Sequence, residues 1–95
     1  HGIGVQRDIA EAVKWYRKAA EKDHIRAHAE LGYYYEGGMG VSQDNAEAYK
    51  CYKLGDGFGR DSLAALTPKM SPAEIEEGER RIREFRLTHP DSDDE

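Results

Sequence analysis

Between residues 9 and 21, Ile9, Ala12, Val13, Tyr16, Ala19 and Ala20 recur at three- and four-residue spacing, while Glu11, Lys14 and Lys18 fall outside that stripe. This is the period of an amphipathic helix with one face turned to a core. It returns over residues 25–36, where Ala27, Leu31, Tyr34 and Tyr35 form the inward side, and a third helix is predicted over 45–54. Asp8 and Asp44 stand just ahead of the first and third segments, where a carboxylate accepts hydrogen bonds from the free amides of a first turn; Ala, Glu and Lys then favour propagation. Gly37-Gly38-Met39-Gly40 closes the middle helix, because glycine tolerates the left-handed conformation at a helix end. The pattern is a chain of helical hairpins.

Farther on the elements shorten. Gly55, Gly57 and Gly59 break the third helix early, residues 61–66 make one short helical segment, and Thr67-Pro68 closes it. Ser71-Pro72-Ala73-Glu74 combines an N-cap, a proline at the first helical position and a capping-box glutamate, so a final helix is predicted over about 72–87. Its apolar stripe is narrow: Ile75, Gly78, Ile82 and Phe85. Glutamates crowd its start and arginines its end, which complements the helix dipole, and Glu76–Arg80, Glu77–Arg81 and Glu79–Arg83 are spaced as favourable i,i+4 pairs. A narrow stripe beneath a charged exterior suits the last layer of a stack.

Displaced by 36 positions, the chain matches itself at Gly2/Gly38, Gly4/Gly40, Val5/Val41, Asp8/Asp44, Ala10/Ala46, Glu11/Glu47, Ala12/Ala48, Lys14/Lys50 and Tyr16/Tyr52. Chance gives about one such identity over this stretch, so the chain contains an internal repeat. The segment Ala27…Leu31-Gly32-x-x-Tyr35-x-x-Gly38-x-Gly40-Val41-x-x-Asp44-x-x-Glu47-Ala48-x-x-x-Tyr52 resembles the Sel-1-like repeat, a helical-hairpin family related to tetratricopeptide repeats. The stretch Gly4-Val5-x-x-Asp8…Ala12-Val13-Lys14-Trp15-Tyr16-x-Lys18-Ala19-Ala20 resembles the second half of another copy. Together these cover residues 2–54. The resemblance implies an all-α fold, a right-handed α–α superhelix of hairpin repeats with a C-terminal capping helix. Residues 1–66 are then a partial copy, a complete copy and a degenerate half-copy, with the capping helix at 67–88 and an acidic, solvated tail at 89–95. The second copy departs from the family where Cys51 stands at the usual tryptophan position and Gly55-Asp56 replaces an Ala-Ala pair.

Composition narrows the partners. Of 95 residues, 38% are hydrophobic and 35% charged, which suits a small folded domain rather than a disordered or membrane chain. No apolar run approaches the roughly 20 residues of a membrane-spanning helix, so no membrane insertion is expected. The net charge is −5, of which Asp91, Asp93, Asp94 and Glu95 supply four, so the body is nearly neutral. With no basic cluster free of interleaved glutamates, nucleic acid is not the expected ligand. One cysteine, Cys51, excludes an intrachain disulfide and a multi-thiolate zinc site.

The candidate site follows from the resemblance, in which the first helix of each hairpin lines a concave groove. On helix 25–36 the residues turned away from Leu31 include Arg26, Ala29, Glu30 and Tyr33, and Arg and Tyr are residue types that dominate interfaces. These four are the expected protein-binding groove, for a peptide or a partner helix. Tyr34 and Tyr35 are expected to pack, as are the equivalent Tyr16 and Tyr52, and Cys51 is read as a packing residue.

The remaining motifs point to no chemistry. His24 and His28 have i,i+4 spacing but no third ligand, so they are read as surface histidines and no metal or cofactor is expected. Gly55-Asp56-Gly57-Phe58-Gly59 lacks the strand and Lys-Ser/Thr of a phosphate loop and is read as a linker. No catalytic constellation is present. The expected function is a protein-interaction scaffold and not an enzyme. Two alternatives stand beside it. One is a β-lactamase-like hydrolase, as in cysteine-rich relatives, which the single cysteine disfavours; the other is a purely structural cap of a larger protein. Because the sequence starts within a repeat, Trp15 and the small residues around it are expected to be exposed unless another chain covers them, with self-association as the consequence.

Overall fold

A computed structural model describes residues 2–89, with side chains from residue 8 onward; the acidic tail expected at 89–95, His89 apart, lies outside the described residues. Five α-helices and two 3-10 turns follow one another, with no strand among the described residues: α1 Gly2–Glu21, α2 Ile25–Gly37, α3 Asn45–Leu54, a turn at Asp56–Gly59, α4 Arg60–Leu66, a turn at Thr67–Lys69, and α5 Pro72–Thr88. Each helix packs on a neighbour in chain order, α1 on α2 and α2 on α3, after which α5 lies against α3 and the Asp56–Gly59 turn folds back on α2. This is the all-α hairpin-repeat fold.

The second repeat copy realises its local signals. Asp44 caps α3, its Oδ1 accepting from the Glu47 amide at 3.1 Å. Gly38 ends α2 at φ 67°, with its amide bonded to the Tyr34 carbonyl. Ser71 and Glu74 form the reciprocal capping box of α5. Asp8 does not repeat the role of Asp44, because α1 starts at Gly2 and carries Asp8 inside it, exposed. The glycine turn forms at residues 38–40, where it ends α2 and Gly40 is seated against Ile9 and Val13; that seat holds the chain out of helix and leaves Asp44 to cap α3.

Two hydrophobic clusters share α3. Ala48, Tyr49 and Tyr52 pack with Leu66, Met70 and Ile82, whereas Cys51 packs with Val13, Ala20, Ala27 and Leu31 of α1 and α2. Close approach is made possible by glycine at two positions. A Cβ on Gly32 would lie 2.5 Å from the Tyr52 ring, and one on Gly78 would lie 2.5 Å from the Tyr49 ring, both inside contact distance. The two buried phenols keep acceptors, as desolvated hydroxyls require: Tyr52 donates to Glu36 at 2.6 Å and Tyr49 to Glu79. Burial and the facing carboxylate push the Tyr49 phenol up to about 12, and Tyr52 rises for the same reasons.

The surface of α5 differs from the spacing rule. Of the three expected pairs only Glu77–Arg81 forms, at 2.7 Å. Arg80 instead pairs with Glu77 and Glu84, and Glu79 turns to Tyr49 and Lys53. Tertiary partners on α3 decide where these side chains go. Arg81 reaches across to α3 and binds Asp44 and Glu47, each at 3.0 Å, so one guanidinium joins the α3 cap to α5. Burial opposes its charge, but the hydrogen bonds from Arg81 to Glu77 and Asp44 outweigh that and raise its pKa. Hydrogen bonds from Arg80 and Arg81 hold the Glu77 carboxyl down at about 2.

Candidate functional site

The outer side of α2 is built by the helix repeat and by the turn that folds back on it. Arg26 is exposed, Ala29 and Glu30 are half-buried, and Tyr33 is 59% exposed, so these side chains share the side opposite buried Leu31. The Tyr33 ring meets Tyr34 edge-on at 5.7 Å, and Tyr34 in turn meets Tyr16 of α1 at 5.9 Å. Tyr33 is therefore held from behind and open in front.

The segment 55–59, read from sequence as a linker, joins α3 to α4 and also packs on α2. It forms a 3-10 turn against α2, with Gly55 so close to Ala29 that a Cβ there would lie 2.8 Å from the Ala29 methyl. That contact makes Ala29 the floor of the surface rather than one of its open contacts. It also brings Phe58 beside Arg26, the guanidinium carbon 5.7 Å from the ring centre, in cation–π range. Phe58 is 63% exposed. Arg26, Tyr33 and Phe58 thus stand around Ala29, and Phe58 is the member that sequence reasoning missed. Its only sequence signal is an aromatic residue among glycines, and nothing in local periodicity says where that turn lands.

The histidines part company. His24 is exposed at the start of α2, whereas His28, expected at the surface, is 1% exposed. Its Nε2 lies 2.9 Å from Asp23 Oδ1, and its ring meets Phe85 of α5 edge-on at 5.1 Å. His28 is one step from Ala27 and three from Leu31, on the inward stripe, so the helical period already carried the signal. Burial lowers its pKa from the ordinary value, and the Asp23 carboxylate offsets that only in part. His89, assigned by sequence to the tail, stacks on Phe85 with ring centres 3.8 Å apart.

Cys51 is 1% exposed, and burial pushes its thiol up to about 12, so it is a packing residue held as the neutral thiol. Among the described residues no group of three or more His, Cys, Asp and Glu is arranged to hold a metal ion, and no helix is long and apolar enough to cross a membrane.

Comparison with known proteins agrees with this geometry. The family model of the Sel1 repeat matches residues 1–24 and 25–55, the second match beginning with α2 and ending with α3. A Sel1-like repeat-containing protein of Acanthamoeba polyphaga mimivirus is 40% identical over 53 residues, which cover 56% of this chain and 10% of that relative. The chain therefore spans about a tenth of the length of the curated relative it matches.

Proposed function

This chain belongs to the Sel1 repeat family, whose repeats are generally protein–protein interaction modules, and from that premise we propose that it binds a peptide or partner helix on the outer face of α2. The observation that carries the reading is a pair of large exposed aromatic residues, Tyr33 and Phe58, flanking Arg26. Neither ring is buried in the two cores, and each is held in place by a neighbour, Tyr33 by Tyr34 and Phe58 by Arg26. Rigid aromatics beside an arginine are the side chains that most often anchor an interface, since they bury area at little ordering cost. Glu30 supplies a polar rim. In this reading residues 1–66 carry the repeats and α5 closes the stack.

Peptides selected from a displayed library on the full chain give the test. Their affinity should fall at least ten-fold in Arg26→Ala/Tyr33→Ala, with Phe58→Ala adding to the loss and the helical circular dichroism unchanged. Affinity equal to that of the parent chain would move the site elsewhere. The reading also holds that the module works by shape and surface rather than by catalysis. Hydrolysis of a chromogenic β-lactam by the pure chain would overturn that part.

A further inference from the structure

The turn at Asp56–Gly59 carries a dipeptide that the α2 surface does not use. Asp56 is followed by glycine, the one Asp-Gly pair in the sequence, and both residues are exposed. The Asp56 backbone lies at φ 51°, in the left-handed region, which is disfavoured for residues with a Cβ and which Asp is among the few to enter. Its carboxylate makes no hydrogen bond or ion pair among the described residues. The first hydrogen bond of the turn runs from the Phe58 amide to the Gly55 carbonyl at 3.1 Å, so the Gly57 amide ahead of it has no acceptor within the turn. Around Gly57 the space is open, with nothing within 4 Å of an added Cβ.

These conditions suit attack by a main-chain nitrogen on the side chain before it. The Gly57 nitrogen adds to Cγ of the Asp56 carboxylic acid. The new N–Cγ bond closes a five-membered succinimide, the C–OH bond breaks, and the hydroxyl leaves as water with the amide proton. Solvent water then opens the ring. Addition at Cγ restores aspartate, whereas addition at the main-chain carbonyl breaks its bond to nitrogen and leaves isoaspartate, with the chain running through Cβ and no change of mass. Asp23 is the internal control. It shares the positive φ, at 61°, but it is half-buried, its Oδ1 lies 2.9 Å from the His28 ring nitrogen, and His24 follows it.

The two ends of the turn decide what isomerisation does. Gly55 and Gly59 are buried, and a Cβ would lie 2.8 Å from the Ala29 methyl at the first and 2.3 Å from the Tyr52 carbonyl oxygen at the second. Neither end has room to shift. Isoaspartate adds one backbone carbon between them, about 1.5 Å of chain, and the slack falls on residues 56–58. We propose that Asp56-Gly57 is a site of isoaspartate formation in the native chain, and that the modification moves Phe58 away from Arg26.

The full chain, held for weeks in warm neutral buffer and then digested, tests the assignment by electron-transfer fragmentation, which separates isoaspartate from aspartate. Isoaspartate should accumulate at position 56 and not at position 23. Gly57→Ala, whose methyl shields the nitrogen and has room, should slow the accumulation at least five-fold with the thermal melt unchanged. Asp56→Glu, which has a larger ring to close, should abolish it. In the aged chain the side-chain NMR signals of Phe58 and Arg26 should shift. Isoaspartate confined to chain unfolded in urea, an equal yield at position 23, or unmoved Phe58 and Arg26 signals in isomerised chain overturns the assignment. None of these readouts uses a partner, so this inference and the α2 surface fail separately.

Discussion

Helices α1 and α3 carry the repeated letters, identical at five of the ten α3 positions, and live in different surroundings. Tyr52 is 2% exposed and bonded to Glu36, while its counterpart Tyr16 is half-buried against Tyr34. Cys51 is 1% exposed, while its counterpart Trp15 is 66% exposed. Asp44 caps α3 and holds Arg81, while Asp8 sits exposed within α1. The difference teaches that a repeat's sequence encodes which face is to be covered, and neighbours on both sides decide whether it is. Helix α3 packs against both α2 and α5, while the main partner of α1 is α2.

The tyrosine pair should separate most. Tyr52→Ala removes a fully buried aromatic ring and leaves Glu36 without its donor, at a cost of about 3–5 kcal/mol. Against a typical total of about 5–15 kcal/mol for a domain, that unfolds a large share of the chain. Tyr16→Ala should cost about 1 kcal/mol, an ordinary value for a half-buried position. Urea midpoints of the two variants measure the gap, and equal midpoints would mean that the two copies are equivalently packed.

The glycine under Tyr49 comes next. Gly78→Ala drives a methyl into a ring fixed through its hydroxyl to Glu79 and should cost about 1–3 kcal/mol, the range for overpacking. Gly57→Ala, with nothing within 4 Å of the added carbon, should stay within about 0.5 kcal/mol of the parent. The caps follow in order. Asp44→Ala loses both the Glu47 amide and an Arg81 contact, for about 1–2 kcal/mol, and Asp8→Ala should fall within about 0.5 kcal/mol.

How much of this was legible depended on whether the cause was local. The bounds of α2, α3 and α5, the Asp44 cap and the box formed by Ser71 and Glu74 were readable because each rests on residues within one turn of each other. Phe58 beside Arg26 and Arg81 on Asp44 join residues more than thirty positions apart, and no spacing rule reaches across that distance. His28 lies between these cases: the inward stripe of α2 included it, but residue type argued for the surface, and periodicity was the better guide. The α2 surface was therefore half readable, as Arg26 and Tyr33 came from helical phase and Phe58 from the fold.

His28 also sets a pH dependence. Burial lowers its pKa, so around 6.5 the unfolded chain takes up a proton that the native chain refuses. The stability it confers is present above that value and is lost as pH falls toward the native pKa. Urea unfolding between about pH 7.5 and 5.5 should show stability falling with pH, and the slope should flatten in His28→Gln. An unchanged slope would place the titrating group elsewhere.

The smallest effect on folding belongs to Trp15, and it sharpens the comparison from the other side. Its ring has Lys18 nearby, 5.4 Å from the ring centre, and is otherwise open, so Trp15→Ala should move stability by no more than about 0.5 kcal/mol. Its counterpart Cys51 is covered because α1 and α2 lie over it, and we propose that a second copy of the chain is received on the α1 surface around exposed Trp15. Fluorescence from this single tryptophan should be that of a solvated indole in dilute solution. It should shift to the blue as concentration rises and the scattering mass grows, and Trp15→Ala should lower that mass while leaving the melt in place. Emission already blue in dilute solution, or a mass indifferent to the substitution, would show that the two copies differ in sequence position alone and not in what still has to cover them.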